Sequence, residues 1–422
     1  MFFYFLVHIN FASLKRYYIM MENKFVRAAI PALFIHMCIG SVYCWSLLKG
    51  QIAADMGVGV PQIEMAFSLA IFFLGMSAAF GGRLVEKNVN LTSFLSMVCF
   101  VSGLCLASYA VTIQSLPLLF ASYGALMGVG LGIGYLSPVK TLMLWFKDSP
   151  GLATGIAISG FGLSKVIFSP IIEGLLSVYN SSTTLLLMAA ISVLPMTLAA
   201  ILIRKPKHWI EATHKFCIKE AFRIIFNPDY IKIWLMFFIN ITCGLALIAF
   251  EKPIGLYVGF SSIALLSSLT AVFNTAGRFC YATCSDFLTR KAFIYGIIFL
   301  TSLACCFASY TLMMPLVIIV ALMVVNAGYG GGFSTLPIIL KETFGMEKIS
   351  MIHGFALSAW AWAGLSGNQL SSYLINIKGY GYDVLFAVLG VLYAISFVIS
   401  LSLMHSHHKM RAKQTVHELK VR

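Results

Sequence analysis

The stretch LGIGYLSPVKTLMLWF, residues 131–146, has a second copy in the same chain. The copy is YGGGFSTLPIILKETF, residues 329–344, in which two glycines and the last phenylalanine recur in register. A further segment, GIAISGFGLSK from Gly155, aligns with GFALSAWAWAG from Gly354 at nearly the same offset. A repeat that keeps its order and spacing predicts two structurally similar halves.

The composition is that of a membrane protein. Of the 422 residues, 60% are hydrophobic and only 10% are charged, whereas soluble domains carry about 25% charged residues. Apolar runs of about 20 residues recur, each long enough to cross roughly 30 Å of bilayer as a helix. The sequence lacks the short alternating segments that are typical of a membrane barrel.

Twelve apolar runs follow one another, six on each side of a polar segment. We therefore predict an all-α membrane protein with twelve transmembrane helices in two six-helix, parallel-repeat halves, the layout of the major-facilitator fold. The predicted spans are 26–48, 62–79, 91–113, 117–144, 150–174 and 183–203 in the first half, and 230–250, 263–284, 292–312, 315–340, 349–374 and 382–404 in the second.

The same pattern divides the chain into five parts. Residues 25–203 form the first predicted half, residues 204–229 a basic linker and residues 230–404 the second half. Residues 1–24 are apolar and then basic without a clear cleavage site, which predicts a start-site artefact or an interfacial helix rather than a signal peptide. Residues 405–422 form a basic tail.

The positive charge is distributed unevenly along the chain. The formal net charge is +14, and basic residues crowd the linker and the tail, which fall on one side if the spans alternate. The positive-inside rule makes that side cytoplasmic, so we predict both termini inside a bacterial cytoplasmic membrane. These charges flank spans and no nucleic-acid module accompanies them, so nucleic-acid binding is not expected. No cofactor is expected, no catalytic cluster predicts an enzyme, and we expect a monomer.

Arg278 is the strongest candidate for a binding residue. It lies roughly 12 Å inside span 8 and shares a helical face with Thr270 and Asn274. A guanidinium is always charged and needs an anion or several acceptors. No acidic residue of a span lies at an obviously matching depth, so we predict a carboxylate cargo held in bidentate contact. The alternative is a structural arginine capped by backbone carbonyls.

Lys165 is a second intramembrane cation, roughly 22 Å along span 5. It borders a stripe of small residues, which predicts that it faces protein or a cavity rather than lipid. It could bind cargo or act in gating, or it could snorkel or pair with a carboxylate such as Glu64 or Glu173. Nearly all of the 15 acidic residues fall at predicted span ends or in loops, which predicts that the spans hold almost no carboxylate in the membrane core. We therefore expect an anion carrier driven by exchange or a gradient, with proton coupling through a histidine or the cargo still open.

Several aromatic residues could line a cavity. Tyr43 shares a face with His36, and Tyr135 follows a run of glycines, so both are predicted to line a central cavity. We expect His36 and His353 to be packing or hydrogen-bonding residues, and Lys140 to snorkel from the end of span 4.

Short motifs resemble known transporter families. SDFLTRK, residues 285–291, resembles the charged turn between paired spans of major-facilitator proteins, and GRLVEK, residues 82–87, resembles a degraded first copy of it. The resemblance implies gating roles for Asp286, Arg290 and Arg83.

More specific segments resemble the oxalate:formate antiporter family over most of the chain from about residue 26. The family implies a small carboxylate cargo such as oxalate, formate or pyruvate. The segments are GSVYCWS at 40–46, GYLSPVKTLMLWFKDSPGLATGIAISGFGLSK at 134–165, NTAGR at 274–278, GYGGGFSTLPIILKETFG at 328–345 and HGFALSAWAWAGLSG at 353–367.

The resemblance also implies individual roles. Arg278 matches the cargo arginine of the family, and Tyr43 and Tyr135 fall where the family uses aromatic cavity residues. Trp360 stands where oxalate exchangers carry a lysine, and the tryptophan version resembles a subgroup associated with monocarboxylates. Lys165 is not a usual family residue. We hypothesise that it restores, from the opposite half, the cation that Trp360 removes. The predicted substrate-binding residues are therefore Arg278, Lys165, Tyr43, Tyr135, Trp360 and Asn274.

The sequence thus predicts a secondary active transporter of small organic anions that works by alternating access. One alternative is a drug or amphipathic-cation exporter of the same fold, for which a carboxylate in the cavity would have argued. Another is a membrane sensor without transport, which would need a signalling domain larger than the tail, residues 405–422.

Overall fold

The computed structural model describes residues 23–146, 150–206, 223–288, 290–345 and 349–421. Within these ranges the chain is almost entirely helical and contains no strand. The all-α membrane fold predicted from the sequence is confirmed. The predicted N-terminal extension and most of the predicted linker lie outside the described residues.

Eleven helices of the described chain are long and apolar enough to cross a membrane. The remaining span, α11, is built from three consecutive helical pieces. In chain order the helices are α1 Phe25–Met56, α2 Val60–Phe80, α3 Val89–Thr112, α4 Leu116–Leu142, α5 Pro150–Leu176, α6 Ser181–Leu202, α7 Pro228–Tyr257, α8 Ile263–Phe287, α9 Phe293–Leu312, α10 Pro315–Phe344, α11 Ile349–Ala356, Ser358–Ser372 and Tyr373–Ile377, and α12 Tyr382–Val421.

Local capping residues set several helix ends. Gly57, in the left-handed region at φ 65°, ends α1, where a side chain would be strained. The Asn180 side chain accepts a hydrogen bond from the Thr183 backbone N–H at the start of α6, and the Asn227 side chain caps α7 in the same way. These side chains satisfy backbone donors that no helical carbonyl reaches.

Helix α7 is longer than predicted. The predicted span ended at residue 250 because a glutamate, a lysine and Pro253 follow, a combination that usually marks a helix end. The helix instead continues to Tyr257, which brings Glu251 into the membrane-spanning part. The continuation is stable because Glu251 is paired with a residue of another helix.

Close contacts between small residues join the two halves. α2 packs on α11, and α5 packs on α8. A Cβ added at Gly75 of α2 would lie 2.3 Å from the backbone nitrogen of Ala361. A Cβ added at Gly162 of α5 would lie 2.4 Å from the Thr275 hydroxyl. At these two points the helices of the two halves therefore approach so closely that only glycine fits.

Candidate functional site

Arg278 lies at the centre of the bundle and is only 1% exposed. Asn274 precedes it by one turn of α8, so the two side chains share a face, and Arg278 Nε donates to Asn274 Oδ1 at 2.8 Å. The glycine run of the repeat makes room for this pair, since a Cβ at Gly330 of α10 would lie 2.9 Å from Arg278 Cγ. The geometry holds the guanidinium in one orientation.

Aromatic rings surround Arg278. The guanidinium carbon lies 5.2 Å from the centre of the Phe333 ring, within the range of a cation–π contact. The Trp360 ring packs against Phe333 at 4.5 Å and against Tyr135 at 5.2 Å between centres. We call the following buried residues the central cluster: Tyr43, Tyr135, Phe161, Asn274, Arg278, Tyr329, Phe333 and Trp360.

Both halves contribute to the central cluster. The Tyr43 hydroxyl of α1 lies 2.5 Å from the Tyr329 hydroxyl of α10, a hydrogen bond across the halves. The site therefore lies at the interface between the two repeats.

Three hydrogen-bond donors of the central cluster have no partner at good hydrogen-bond geometry in the described part of the chain. They are Arg278 Nη1, Trp360 Nε1 and the Tyr135 hydroxyl, all buried. A buried donor left unpaired costs about 1–3 kcal/mol. Three such donors in one cluster fit a ligand that supplies acceptor oxygens.

The structure brings five of the six predicted substrate-binding residues into this cluster. Tyr43, Tyr135, Asn274, Arg278 and Trp360 all belong to it, whereas Lys165 does not. A role in substrate binding is not tested by their position alone and stays a prediction.

Lys165 is held by a carboxylate of the other half. Its Nζ lies 2.5 Å from Glu251 Oε2 on α7 and 3.2 Å from the Thr270 hydroxyl on α8. The Lys165 and Glu251 side chains are 3% and 1% exposed. The alternative that Lys165 pairs with a carboxylate thus holds in this structure, although the partner is neither Glu64 nor Glu173.

The prediction that the spans hold almost no core carboxylate is wrong. Glu251 and Glu64 are both fully buried. Lys49 Nζ lies 2.6 Å from Glu64 Oε1, and Trp45 Nε1 donates to Glu64 Oε2 at 3.2 Å. Both glutamates sit near the predicted ends of spans, where a charge normally indicates contact with water. Here a lysine compensates each carboxylate instead.

Sequence reasoning missed three aromatic members of the central cluster and one acid. Tyr329, Phe161 and Phe333 were not among the residues predicted to line the cavity. Tyr329 and Phe333 lie one turn apart within the repeated glycine-rich stretch, a signal that could have identified them. Glu251 gave no such signal, because its partner is 86 residues away.

The other predicted residues have varied surroundings. The Arg83 and Asp286 side chains lie outside the described residues, and Arg290 lies half-buried between α8 and α9, so their gating roles stay predictions.

His36 and Lys140 form hydrogen bonds within the first half. His36 Nε2 lies 3.1 Å from the Tyr135 carbonyl oxygen, and the two rings stack. Lys140 Nζ donates to the Gly82 carbonyl at 3.1 Å. Among the described residues, no group of three or more His, Cys, Asp or Glu could hold a metal ion.

Comparison with known proteins identifies the family. The model of the Major Facilitator Superfamily matches residues 29–368. The chain is 25% identical over 337 residues to the uncharacterized MFS-type transporter YhjX of Escherichia coli K12, covering 77% of this chain and 82% of that protein. It is 25% identical over 394 residues to the oxalate:formate antiporter of Oxalobacter formigenes, covering 90% and 91%.

A solved structure has the same fold. The crystal structure of the Major Facilitator Superfamily transporter FucP in the outward conformation superposes with a TM-score of 0.63 at 15% identity, covering 89% of this chain and 97% of that one. The chain therefore belongs to the Major Facilitator Superfamily and is a multi-pass membrane transporter of that family.

Proposed function

We propose that this protein transports small organic anions, monocarboxylates or oxalate- and formate-like acids, by alternating access, with Arg278 as the main anchor. The observation that carries the proposal is the unpartnered Nη1 of buried Arg278. A carboxylate would supply the missing charge and acceptors in a bidentate contact.

Each polar member of the central cluster has a role in this proposal. Asn274 orients the guanidinium through its bond to Nε. Trp360 Nε1 and the Tyr135 hydroxyl are donors without partners in the described chain, and they would donate hydrogen bonds to the remaining lone pairs of the carboxylate. The aromatic rings would enclose the organic part of a small cargo.

The position of the central cluster supports alternating access. Its residues come from α1, α4 and α5 of the first half and from α8, α10 and α11 of the second. A site between two repeats can be opened to either membrane face when one half rocks against the other. This mechanism needs neither covalent chemistry nor a cofactor. We also propose a monomer in the cytoplasmic membrane with both termini inside, since basic residues crowd the linker and the tail.

The type of cargo is supported by likeness and by one difference. The oxalate:formate antiporter is similar over nine-tenths of both chains. Trp360 in place of a second cation favours monoanions over dianions. The hypothesis that Lys165 supplies that cation stays a prediction, since Glu251 occupies its ammonium in this conformation.

The alternative of a cation exporter is disfavoured by charge. The central cluster contains an arginine, and no carboxylate of the described residues bonds to it. A sensor without transport is disfavoured by membership of a transporter family.

The test is uptake of labelled pyruvate into proteoliposomes, with and without trapped oxalate, formate or pyruvate. We expect uptake in the parent protein and its loss in Arg278→Gln. Arg223→Gln is the matched control, because it removes the same charge at an exposed position before α7 and should transport like the parent.

Uptake that requires a trapped anion would establish exchange. Uptake without a trapped anion that rises with external acidity would indicate proton coupling or passive transport. Full activity of Arg278→Gln would contradict the arginine-centred site, and absence of uptake under every condition would contradict the cargo class.

A further inference from the structure

Two buried lysine–glutamate pairs lie on one side of the central cluster. Thr270, which bonds to the Lys165–Glu251 pair, precedes Arg278 by two turns of α8, roughly 12 Å. It lies towards the membrane face opposite to the linker between α6 and α7, which we call the far face. The Lys49–Glu64 pair lies in the same part of the bundle, near the end of α1 and the start of α2.

Only one of these two pairs joins the halves. Lys49 and Glu64 both belong to the first half, on α1 and α2. Lys165 belongs to α5 of the first half, and Glu251 to α7 of the second. We call the latter the inter-half ion pair. The Lys49–Glu64 pair also contacts the second half, because Lys49 Nζ lies 3.9 Å from the centre of the ring of Phe250, which precedes Glu251.

The inter-half ion pair lies between the far face and the central cluster and joins α5 to α7. One turn further towards that face, the Ser169 hydroxyl of α5 donates to the Ser267 hydroxyl of α8 at 2.9 Å. Both serines are buried. Opening of the far face has to separate α5 from α7 and α8, and this separation breaks the bond between Lys165 and Glu251.

Separation leaves Glu251 with few partners. Three groups of the described chain act on its carboxylate: Lys165 of α5, Thr270 of α8 and, more weakly, the Cys44 thiol of α1. Its neighbours on α7 are Phe250, which Lys49 covers, and Lys252. Once Lys165 has moved away, the remaining Thr270 hydroxyl cannot compensate a negative charge. A carboxylate that loses its cation while it is still buried is stable only when it binds a proton.

We propose that Glu251 is a proton-binding site, and that its protonation releases Lys165 and opens the far face, so that movement of the cargo anion is coupled to a proton. The proton comes from hydronium in the solution at the far face and binds to a carboxylate oxygen of Glu251. It returns to a water molecule when the ion pair re-forms, while Lys165 keeps its own proton. The coupling to cargo rests on the proposed anion transport, whereas the opening by protons does not.

The test measures opening without cargo. Ser267→Cys, in a Cys44→Ala background that removes the nearest native thiol, is labelled with a charged maleimide in lipid nanodiscs, where both faces are accessible. At each pH, the labelling rate of the Glu251→Gln variant is divided by the labelling rate of the same protein with Glu251. This ratio is independent of the pH dependence of the thiol itself. Because a neutral amide mimics the protonated acid, we expect this ratio to be about tenfold at about pH 8 and to fall towards one at about pH 5.

Two further variants make the result specific. Glu64→Gln removes a buried, lysine-paired carboxylate within one half and should keep the pH response of the parent. Lys165→Gln breaks the inter-half ion pair from the other side and should raise labelling at about pH 8 by about the same factor, which keeps the test valid if Glu251→Gln fails to fold. A ratio that stays at one, or that does not change with pH, would overturn the proposal.

A transport measurement then separates the two proposals. In proteoliposomes, Glu251→Gln should retain exchange of pyruvate for trapped pyruvate but lose the acceleration by external acid. Acid acceleration in Glu251→Gln equal to that of the parent would overturn the proton site. Failure of the Arg278→Gln test would instead overturn the carboxylate cargo and leave the labelling result standing.

Discussion

The hydroxyl groups of Tyr43 and Tyr329 lie 2.5 Å apart although the residues are 286 positions apart in the chain. The bond crosses the interface between the two halves beside the buried Arg278. It links the place where a cargo would bind to the relative position of the halves. A rocking motion that separates α1 from α10 at this point would stretch or break it.

The tyrosine pair should behave as one energetic unit. Tyr43→Phe and Tyr329→Phe each remove the same hydrogen bond while keeping the ring packing. We expect the two single variants to change the pyruvate uptake rate to a similar extent, and the double variant to differ little from either. The coupling free energy from this double-mutant cycle should be about 1 kcal/mol. Effects that simply add in the double variant would contradict a functional bond between the two hydroxyls.

Trp360→Phe should weaken cargo binding without disturbing the fold. The change keeps an aromatic ring against Phe333 and removes the unpartnered Nε1 donor. We expect the pyruvate Kd to rise roughly five- to tenfold, which corresponds to about 1 kcal/mol or slightly more, in a binding titration of purified protein.

The matched control for Trp360 is two residues further along α11. Trp362 is 51% exposed and packs against Phe72 rather than against the central cluster. Trp362→Phe should leave the pyruvate Kd unchanged. Equal effects of the two substitutions would show that Trp360 acts through helix packing and not through its donor.

A disulfide between α5 and α8 should lock the far face. The Ser169 and Ser267 hydroxyls are 2.9 Å apart, so cysteines at both positions can bond with small adjustments. Cys44 has to be replaced by alanine, because its sulfur lies 3.6 Å from the Ser169 hydroxyl and would compete. We expect oxidation to abolish pyruvate uptake and a reductant to restore it, since alternating access needs both faces to open. Each single cysteine variant should be insensitive to oxidation. Transport by the oxidised double variant would contradict closure of the far face at the contact between α5 and α8.

Gly75→Ala should force α2 away from α11. The added Cβ would lie 2.3 Å from a backbone nitrogen, and backbone atoms cannot move aside as a flexible side chain can. We expect overpacking of about 1–3 kcal/mol, visible as a lower unfolding temperature in detergent and as reduced uptake. Gly50→Ala is the control, because no atom lies within 4 Å of a Cβ added there. Equal unfolding temperatures for the two variants would contradict a close contact between α2 and α11 at Gly75.

The helical fold and several candidate residues, with Arg278 the strongest, could be predicted from the sequence. Hydrophobicity over about 20 residues is a local property, so the spans were visible without knowledge of their packing. The repeat of residues 131–146 at 329–344 is also visible without knowledge of the packing, and it predicted two similar halves. Arg278 stood out because a guanidinium within an apolar run is costly wherever its helix packs.

The partners of the charged residues were decided by tertiary structure. Glu251 is followed by a lysine and a proline, which locally indicates a helix end, yet Lys165 from α5 compensates its charge and the helix continues. The aromatic cluster depends in the same way on rings from both halves, such as Tyr43 and Tyr329. Sequence determined which segments enter the membrane, because transfer into lipid depends on each segment's own composition. Packing alone determined which buried charges and hydroxyls meet, because those contacts join residues far apart in the chain.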